Sequence, residues 1–263
     1  MNRLDEAFSV AKSENRALLI GFVTAGFPSK AGTIATAKAM IAGGVDVIEV
    51  GFPYSDPVMD GPIIQRAGEI ALENKTNALD VLDIVEEISN LAPTLVMTYW
   101  NPIEKFGVEK FSRELAIRGG VGLITPDLTI EESKTWLNTA QSEGLAKVFV
   151  VAPSSTDERL QRVTNSCSGF VYAASLMGVT GVRSEISNSA QTLVAKLRNI
   201  TSLPIAVGLG VSNSEQAAQV SKYADGVIVG SAFTRHLLEN QNIDDALKAI
   251  TNLAKELSGS MQK

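Results

Sequence analysis

The 263-residue chain contains one cysteine, Cys167, and one histidine, His236. A lone cysteine allows no internal disulfide and suits a reducing cytoplasm. With one residue of each kind, no zinc site built from Cys and His is expected. Charge is sparse as well. Only 20% of residues are charged, the net charge is −6, and Lys and Arg are scattered. Nucleic acid and anionic membrane are therefore poor candidates for the main partner. No apolar run approaches the roughly 20 residues that span a bilayer. The N-terminal stretch MNRLDEAFSVAKSENR carries acids and lacks an apolar signal-peptide core. The expected setting is the cytoplasm.

Hydrophobic residues make up 45% of the chain, the range of a folded globular protein. A chain of this length buries roughly 70–75% of its unfolded surface, so it needs neither disulfide nor metal to hold together. Compact, β-branched apolar runs recur at 17–26, 45–51, 94–100, 121–127, 146–153, 169–175, 203–210 and 225–230. They lack polar alternation, as parallel strands buried on both faces do. Stretches with helical spacing lie between them, at 33–42, 78–91, 108–118, 130–142, 157–165, 189–199, 214–222 and 243–257. In the second of these, Leu79, Leu82, Val85 and Ile88 share a predicted face. Thr129 and Ser214 read as helix caps, and Gly43-Gly44 and Gly119-Gly120 as helix stops.

Eight such units without a composition break predict a single-domain (β/α)₈ TIM barrel over residues 1–263, with an extra N-terminal helix (1–15) closing its bottom. An open doubly wound sheet is the competing architecture, but eight units at this length favour closure.

In a barrel of this kind the active site is built at the carboxyl ends of the strands. The segment after the second strand, EVGFPYSDPVMDGPIIQRA (49–67), is the richest. Glu49 lies inside an apolar run, where alternation aims it into the barrel mouth. It is either a structural carboxylate satisfied by backbone amides or an acid–base group with a raised pKa. Asp60 is either the N-cap of the following helix or a second carboxylate facing Glu49. Asp56, in Ser-Asp-Pro, reads as a turn carboxylate. Pro53, Pro57 and Pro62 stiffen the loop.

Glycines cluster after strands six to eight, at Gly178, Gly181, Gly208, Gly210 and Gly230, with Ser231 beside the last. Barrels commonly cradle a phosphate there, and glycine lets backbone N–H groups approach the anion. His236 falls within a helical stretch, and Lys147 opens strand five at the wrong end for a Schiff base. Carbon–carbon cleavage in this site would need the substrate's own electron sink.

These residues resemble a known family. EVGFPYSDPVMDGPIIQRA, with GFVTAGFP (21–28), GVTG (178–181), VGLGVS (207–212) and VGSAF (229–233), is similar to the tryptophan synthase alpha subunit over nearly the whole chain. The resemblance implies a lyase of tryptophan biosynthesis that cleaves indole-3-glycerol phosphate to indole and glyceraldehyde 3-phosphate. It implies Glu49 as the acid–base residue, Asp60 as the partner of the indole N–H, and Tyr172 as a tyrosine near the substrate. Phe22 would pack on the indole. Gly181, Gly210, Gly230 and Ser231 would hold the phosphate, with Thr180 in a lid continued by residues 182–189.

No metal or cofactor is implied for this chain. The implied partner is a pyridoxal-phosphate beta subunit in an α₂β₂ heterotetramer, contacted through Pro53, Asp56 and the 53–60 loop. The alternatives are a stand-alone indole-releasing lyase, a sugar-phosphate isomerase and a non-catalytic phosphate-binding module.

Overall fold

A computed structural model describes residues 2–174, 183–208 and 210–262. In chain order it contains α1 (Arg3–Ser13), β1 (Leu18–Thr24), α2 (Lys30–Ala42), β2 (Val47–Gly51), α3 (Pro62–Glu73), α4 (Ala78–Ser89) and β3 (Thr94–Met97). There follow α5 (Trp100–Phe106), α6 (Val108–Ile117), β4 (Gly122–Thr125), α7 (Lys134–Glu143), β5 (Ala146–Val151), α8 (Asp157–Ser166) and β6 (Val171–Ala174). The chain ends with α9 (Arg183–Arg198), β7 (Ile205–Gly208), α10 (Ser214–Ser221), β8 (Gly226–Val229), α11 (Ser231–Glu239) and α12 (Ile243–Gly259). The strands close into a parallel barrel in sequence order, with β8 paired to β1. The (β/α)₈ expectation holds, and the open sheet is excluded by the β1–β8 ladder.

Strand alternation divides the core in two. Leu18, Ile20, Val47, Leu95, Ile124, Val148, Phe170, Ala206 and Ile228 fill the barrel interior. Their strand neighbours Leu19, Ile48, Val96, Leu123, Val171, Val207 and Val227 face the helices. A side-chain period of two does this sorting on every strand.

The predicted N-terminal helix is present and plugs the bottom. Asn2 caps α1, and its side-chain amide donates to the Val121 carbonyl at 2.9 Å, at the entry to β4. Leu4, Phe8 and Ala11 are buried in the interior cluster, and the Phe8 and Phe170 rings lie 5.7 Å apart. Burying two large side chains of this kind stabilises the plug by roughly 1.5–3 kcal/mol each.

Three local expectations require correction. Leu79 is 52% exposed, and the buried face of α4 is instead Val81, Leu82, Ile84, Val85 and Ile88. Thr129 does not start a helix. The 129–132 stretch is a turn closed by the Glu132 N–H donating to the Thr129 carbonyl, and α7 begins only at Lys134. The cap of α10 is Asn213, whose side chain accepts from the Gln216 N–H, rather than Ser214. The short helix α5 was not anticipated.

Two aspartates lock the strand register at the bottom of the barrel. The Asp46 carboxylate accepts from the Leu19 N–H at 2.8 Å and takes a two-pronged contact from the Arg16 guanidinium, each prong 2.8 Å. Asp225 plays a similar part between β7 and β8, accepting from the Ile205 N–H and from a single nitrogen of Arg198. Asp46→Ala strands the fully buried Leu19 amide and removes the two-pronged partner of Arg16, which keeps Glu14. The expected loss is about 1.5–3 kcal/mol, read as a lower urea midpoint with unchanged slope.

Candidate active site

Glu49 occupies an interior position of β2, between Val47 and Gly51 on the same face. In the parallel ladder it pairs with Phe22 of β1 and Leu95 of β3. The residue is fully buried, and among the described residues neither carboxylate oxygen has a hydrogen-bond partner. The reading of a structural carboxylate satisfied by backbone amides is therefore excluded. Burial without a counter-charge disfavours the ionised form and pushes the Glu49 carboxyl up to about 8.

Asp60 closes the loop after β2. It is not the cap of α3: that position is Gly61, with Pro62 at the first helical residue, and no side chain caps the helix. The Asp60 N–H donates to the Pro57 carbonyl at 3.1 Å, and its own carbonyl accepts from the Gln65 side chain at 2.9 Å. Its carboxyl is partly buried in the cleft, and desolvation raises it to about 6. Asp56 has the expected turn setting, its carboxylate accepting from the Ser55 hydroxyl at 2.6 Å.

Tyr172 lies on the interior face of β6, two residues after Phe170. Desolvation and then the negative charges of Glu49 and Asp60 hold its phenol well above the ordinary value. The structure thus brings all three side chains of the sequence-predicted catalytic set to one end of the barrel. Two glycines make room for the aromatic walls. A Cβ on Gly51 would sit 2.3 Å from the Phe22 ring, and one on Gly208 would sit 2.4 Å from the Tyr172 hydroxyl.

A cleft with Asp60 in its lining lies between the ends of β1 to β4. Phe22, Phe52, Ile64, Met97 and Pro126 give it apolar walls, while Thr24 and Asp60 supply polar atoms. An apolar slot with a few placed polar groups suits a flat aromatic ligand with one hydrogen-bonding edge. Sequence reasoning missed Thr24, Met97 and Tyr99 as cleft residues. The period-two continuation of the interior positions 18, 20, 22 and 95, 97 would have found them.

The glycine-rich positions are divided. Thr180, Gly181 and residue 182 lie outside the described residues, whereas 183–189, expected to continue the lid as a loop, form the first turns of α9. Gly210 follows β7 with φ +65°, a left-handed conformation that glycine adopts without strain. Gly230 precedes α11, and Ser231 is its first residue. The first-turn amides of a helix have no intrahelical acceptor and carry its positive end. Gly230 also abuts Phe22, a Cβ there falling 3.3 Å from the phenylalanine Cβ.

The other reactive side chains are placed elsewhere. His236 is on α11, and Lys147 is the second residue of β5, below the cleft. Burial lifts the Cys167 thiol to about 11. Among the described residues no cluster of His, Cys, Asp or Glu is arranged to hold a metal ion, and no helix is long and apolar enough to cross a membrane.

A closed (β/α)₈ barrel with two desolvated carboxyls beside an apolar slot defines an acid–base enzyme of the barrel class. The family model for the tryptophan synthase alpha chain matches residues 8–262. Alpha chains of Thermobifida fusca and Streptomyces avermitilis are 50% and 52% identical, over 100% and 97% of this chain and 98% and 93% of theirs. Among solved structures, Mycobacterium tuberculosis tryptophan synthase matches at 45% identity with a TM-score of 0.92, covering 100% of this chain and 99% of that one. The alpha subunit from Legionella pneumophila matches at 31% identity and a TM-score of 0.90, covering 99% and 98%. The chain belongs to the tryptophan synthase alpha chain family, lyases that cleave indole-3-glycerol phosphate in the alpha reaction of tryptophan synthesis.

The raised Glu49 carboxyl carries a consequence for stability. Between its unfolded value near 4.5 and its folded value near 8, the native state binds more protons than the unfolded one. Stability therefore falls as pH rises through that window. Glu49→Gln removes the titration. Urea midpoints of the variant and the parent should separate progressively from pH 5 to pH 8, in favour of the variant. Parallel curves would mean that Glu49 is ionised in the folded protein.

Proposed function

We propose that this chain carries out the alpha reaction with Glu49 moving protons and Asp60 holding the indole nitrogen. The observation that carries this reading is the unequal burial of the two carboxyls, Glu49 wholly enclosed on β2 and Asp60 only partly buried in the cleft. At neutral pH Glu49, near 8, retains its proton, whereas Asp60, near 6, is mostly ionised. One fold thereby presents an acid and an anion at the same end of the barrel.

The chemistry follows from that split. Glu49 donates its proton to indole C3, and the ring becomes a protonated indolenine whose positive charge rests largely on nitrogen. The Asp60 carboxylate accepts a hydrogen bond from that N–H and stabilises the developing charge. The Glu49 carboxylate, now unpaired in an apolar interior, takes the proton from the hydroxyl on the carbon attached to C3. That carbon becomes the aldehyde of glyceraldehyde 3-phosphate as the C–C bond breaks, and the bond's electron pair returns to the ring to neutralise the indolenine. Indole is released with its C3 proton, and Glu49 ends protonated as it began. Tyr172 lies within electrostatic reach of both carboxyls. Phe22 stacks on the indole, and Gly210, Gly230, Ser231 and, from the sequence, Thr180 and Gly181 receive the phosphate. Neither metal nor cofactor enters the scheme.

Glu49→Gln should lower indole release by more than the 10²–10⁴-fold range of ordinary acid–base groups, because one residue serves both transfers. Asp60→Asn should also cut turnover severely while retaining most substrate affinity. In the parent, kcat/KM should describe a bell, falling on the acid side as Asp60 gains a proton and on the alkaline side as Glu49 loses one. Turnover by Glu49→Gln within tenfold of the parent would overturn the assignment.

The same reading includes a beta-subunit partner in an α₂β₂ assembly, docked on the 53–60 loop. Val58 and Met59 are 82% and 52% exposed on a segment braced by Pro53 and Pro57. An apolar tip on a stiff loop is a surface suited to burial by another chain. Val58→Asp should weaken beta-subunit association, measured by titration calorimetry, and leave indole release by the isolated chain unchanged. Undiminished association would remove the loop from the interface.

A further inference from the structure

Tyr99 has a set of contacts that its place in the cleft wall does not require. It is 6% exposed and stands at the cap position of α5. Its hydroxyl accepts from the Met59 N–H at 2.8 Å, forty residues away in sequence and immediately before Asp60. Its ring packs on Tyr54 of the same loop, centroids 5.2 Å apart. Two of the side-chain contacts that fix the Asp60 loop thus end on one aromatic ring.

Tyr99 is itself held from the next loop. As the cap residue of α5 it offers no capping side-chain bond of its own. The Asp127 carboxylate, from the loop after β4, takes that role, accepting from the Trp100 N–H with its two oxygens at 2.9 and 3.1 Å. A carboxylate at a helix N-terminus both satisfies an orphan amide and meets the positive end of the helix. Asp127 therefore fixes the start of α5, α5 fixes Tyr99, and Tyr99 fixes the backbone at Met59. Burial and the nearby charges of Asp60 and Asp127 keep the phenol neutral, at about 12, so the hydroxyl remains an intact hydrogen-bonding group at any working pH.

We propose that Tyr99 is a positioning residue for Asp60, tethering the loop after β2 to the loops after β3 and β4 so that the Asp60 carboxylate stays in its desolvated place. The inference rests on the role given to Asp60 above. A group held by a backbone tether rather than by a partner of its own is sensitive to small displacements, and a misplacement near 1 Å costs about 100-fold. Among the described residues Asp60 has no salt bridge; its hydrogen bonds to Pro57 and Gln65 involve its backbone atoms only.

The test is Tyr99→Phe in the full chain, which keeps the ring and the Tyr54 contact and removes only the hydroxyl. Two readouts are needed. In substrate-free protein, amide hydrogen exchange of the 58–61 segment should accelerate by about tenfold or more as the Met59 amide loses its acceptor. In steady-state assays, kcat should fall about 10–100-fold. The acid limb of kcat/KM should move to lower pH, because water reaches a loosened Asp60, while the alkaline limb stays in place. Asp127→Ala, which leaves the hydroxyl but frees the start of α5, should move both readouts the same way by less.

Unchanged exchange in Tyr99→Phe would overturn the tether, as would a variant whose acid limb stays where it was. Faster exchange in Tyr99→Phe, together with a parent chain that releases no indole, would retain the tether and reject the function assigned to Asp60. Should Tyr99→Phe fail to fold, Asp127→Ala decides by the same two measurements.

Discussion

A carboxyl group without a hydrogen-bond partner inside an apolar barrel is the constraint on which the active end of this molecule depends. Interior positions of a closed parallel barrel are filled by side chains, and here those below Glu49 are aliphatic or aromatic: Val47, Leu95, Ile124, Phe170 and the α1 plug of Leu4 and Phe8. An ion in that setting would lack both water and a counter-charge, and the several kcal/mol that this costs is avoided by keeping the proton. The apolar floor is thus a stability feature and a chemical one together. It holds the barrel shut at the bottom and holds an acid in reserve at the top.

Asp60 shows the same effect at lower strength because it stands on a loop. A strand position is enclosed on all sides, whereas a loop carboxyl at the cleft edge keeps some access to water. Burial therefore raises Glu49 to about 8 but Asp60 only to about 6. The difference between acid and anion comes from where each residue sits on the scaffold. It also explains why the loop must be stiff: a side chain that owes its ionisation to partial burial changes character if its loop moves. Three prolines and the contacts to the α5 segment restrict that movement.

Much of this was legible in the sequence, for identifiable reasons. The eight strands announce themselves because both faces are buried, and the interior aim of Glu49 follows from period two. The split reading of Asp60 could not be decided without coordinates, since Asp before Gly-Pro serves equally well as a cap or a catalytic group. Helix α5 was hidden by Pro102 within Trp100–Phe106. Proline usually breaks a helix, but at the third helical position its missing N–H would have had no intrahelical acceptor. The start of α7 was misread because Glu131 and Glu132 imitate an acidic first turn. Glu131 in fact pairs with Arg159 and Arg162 from α8. Leu79 was assigned to a buried face because spacing gives a helix's periodicity and not the width or centre of its covered stripe.

The distribution of polar groups around the mouth fits a substrate with two unlike ends. Apolar walls come from β1 to β4, and the amide-presenting start of α11 follows β8, on the other side of β1. Phe22 stands at the join, paired in register with Glu49 on one side and pressed against Gly230 on the other. A ligand whose ring stacks on Phe22 and whose phosphate meets the first turn of α11 must pass its connecting carbons over the end of β1. Glu49 is on the neighbouring strand, within the ring side of that path. In the proposed scheme, the barrel closure between β8 and β1 brings anion binding and proton transfer within reach of one small molecule. An open sheet carrying the same two motifs would place them at opposite edges.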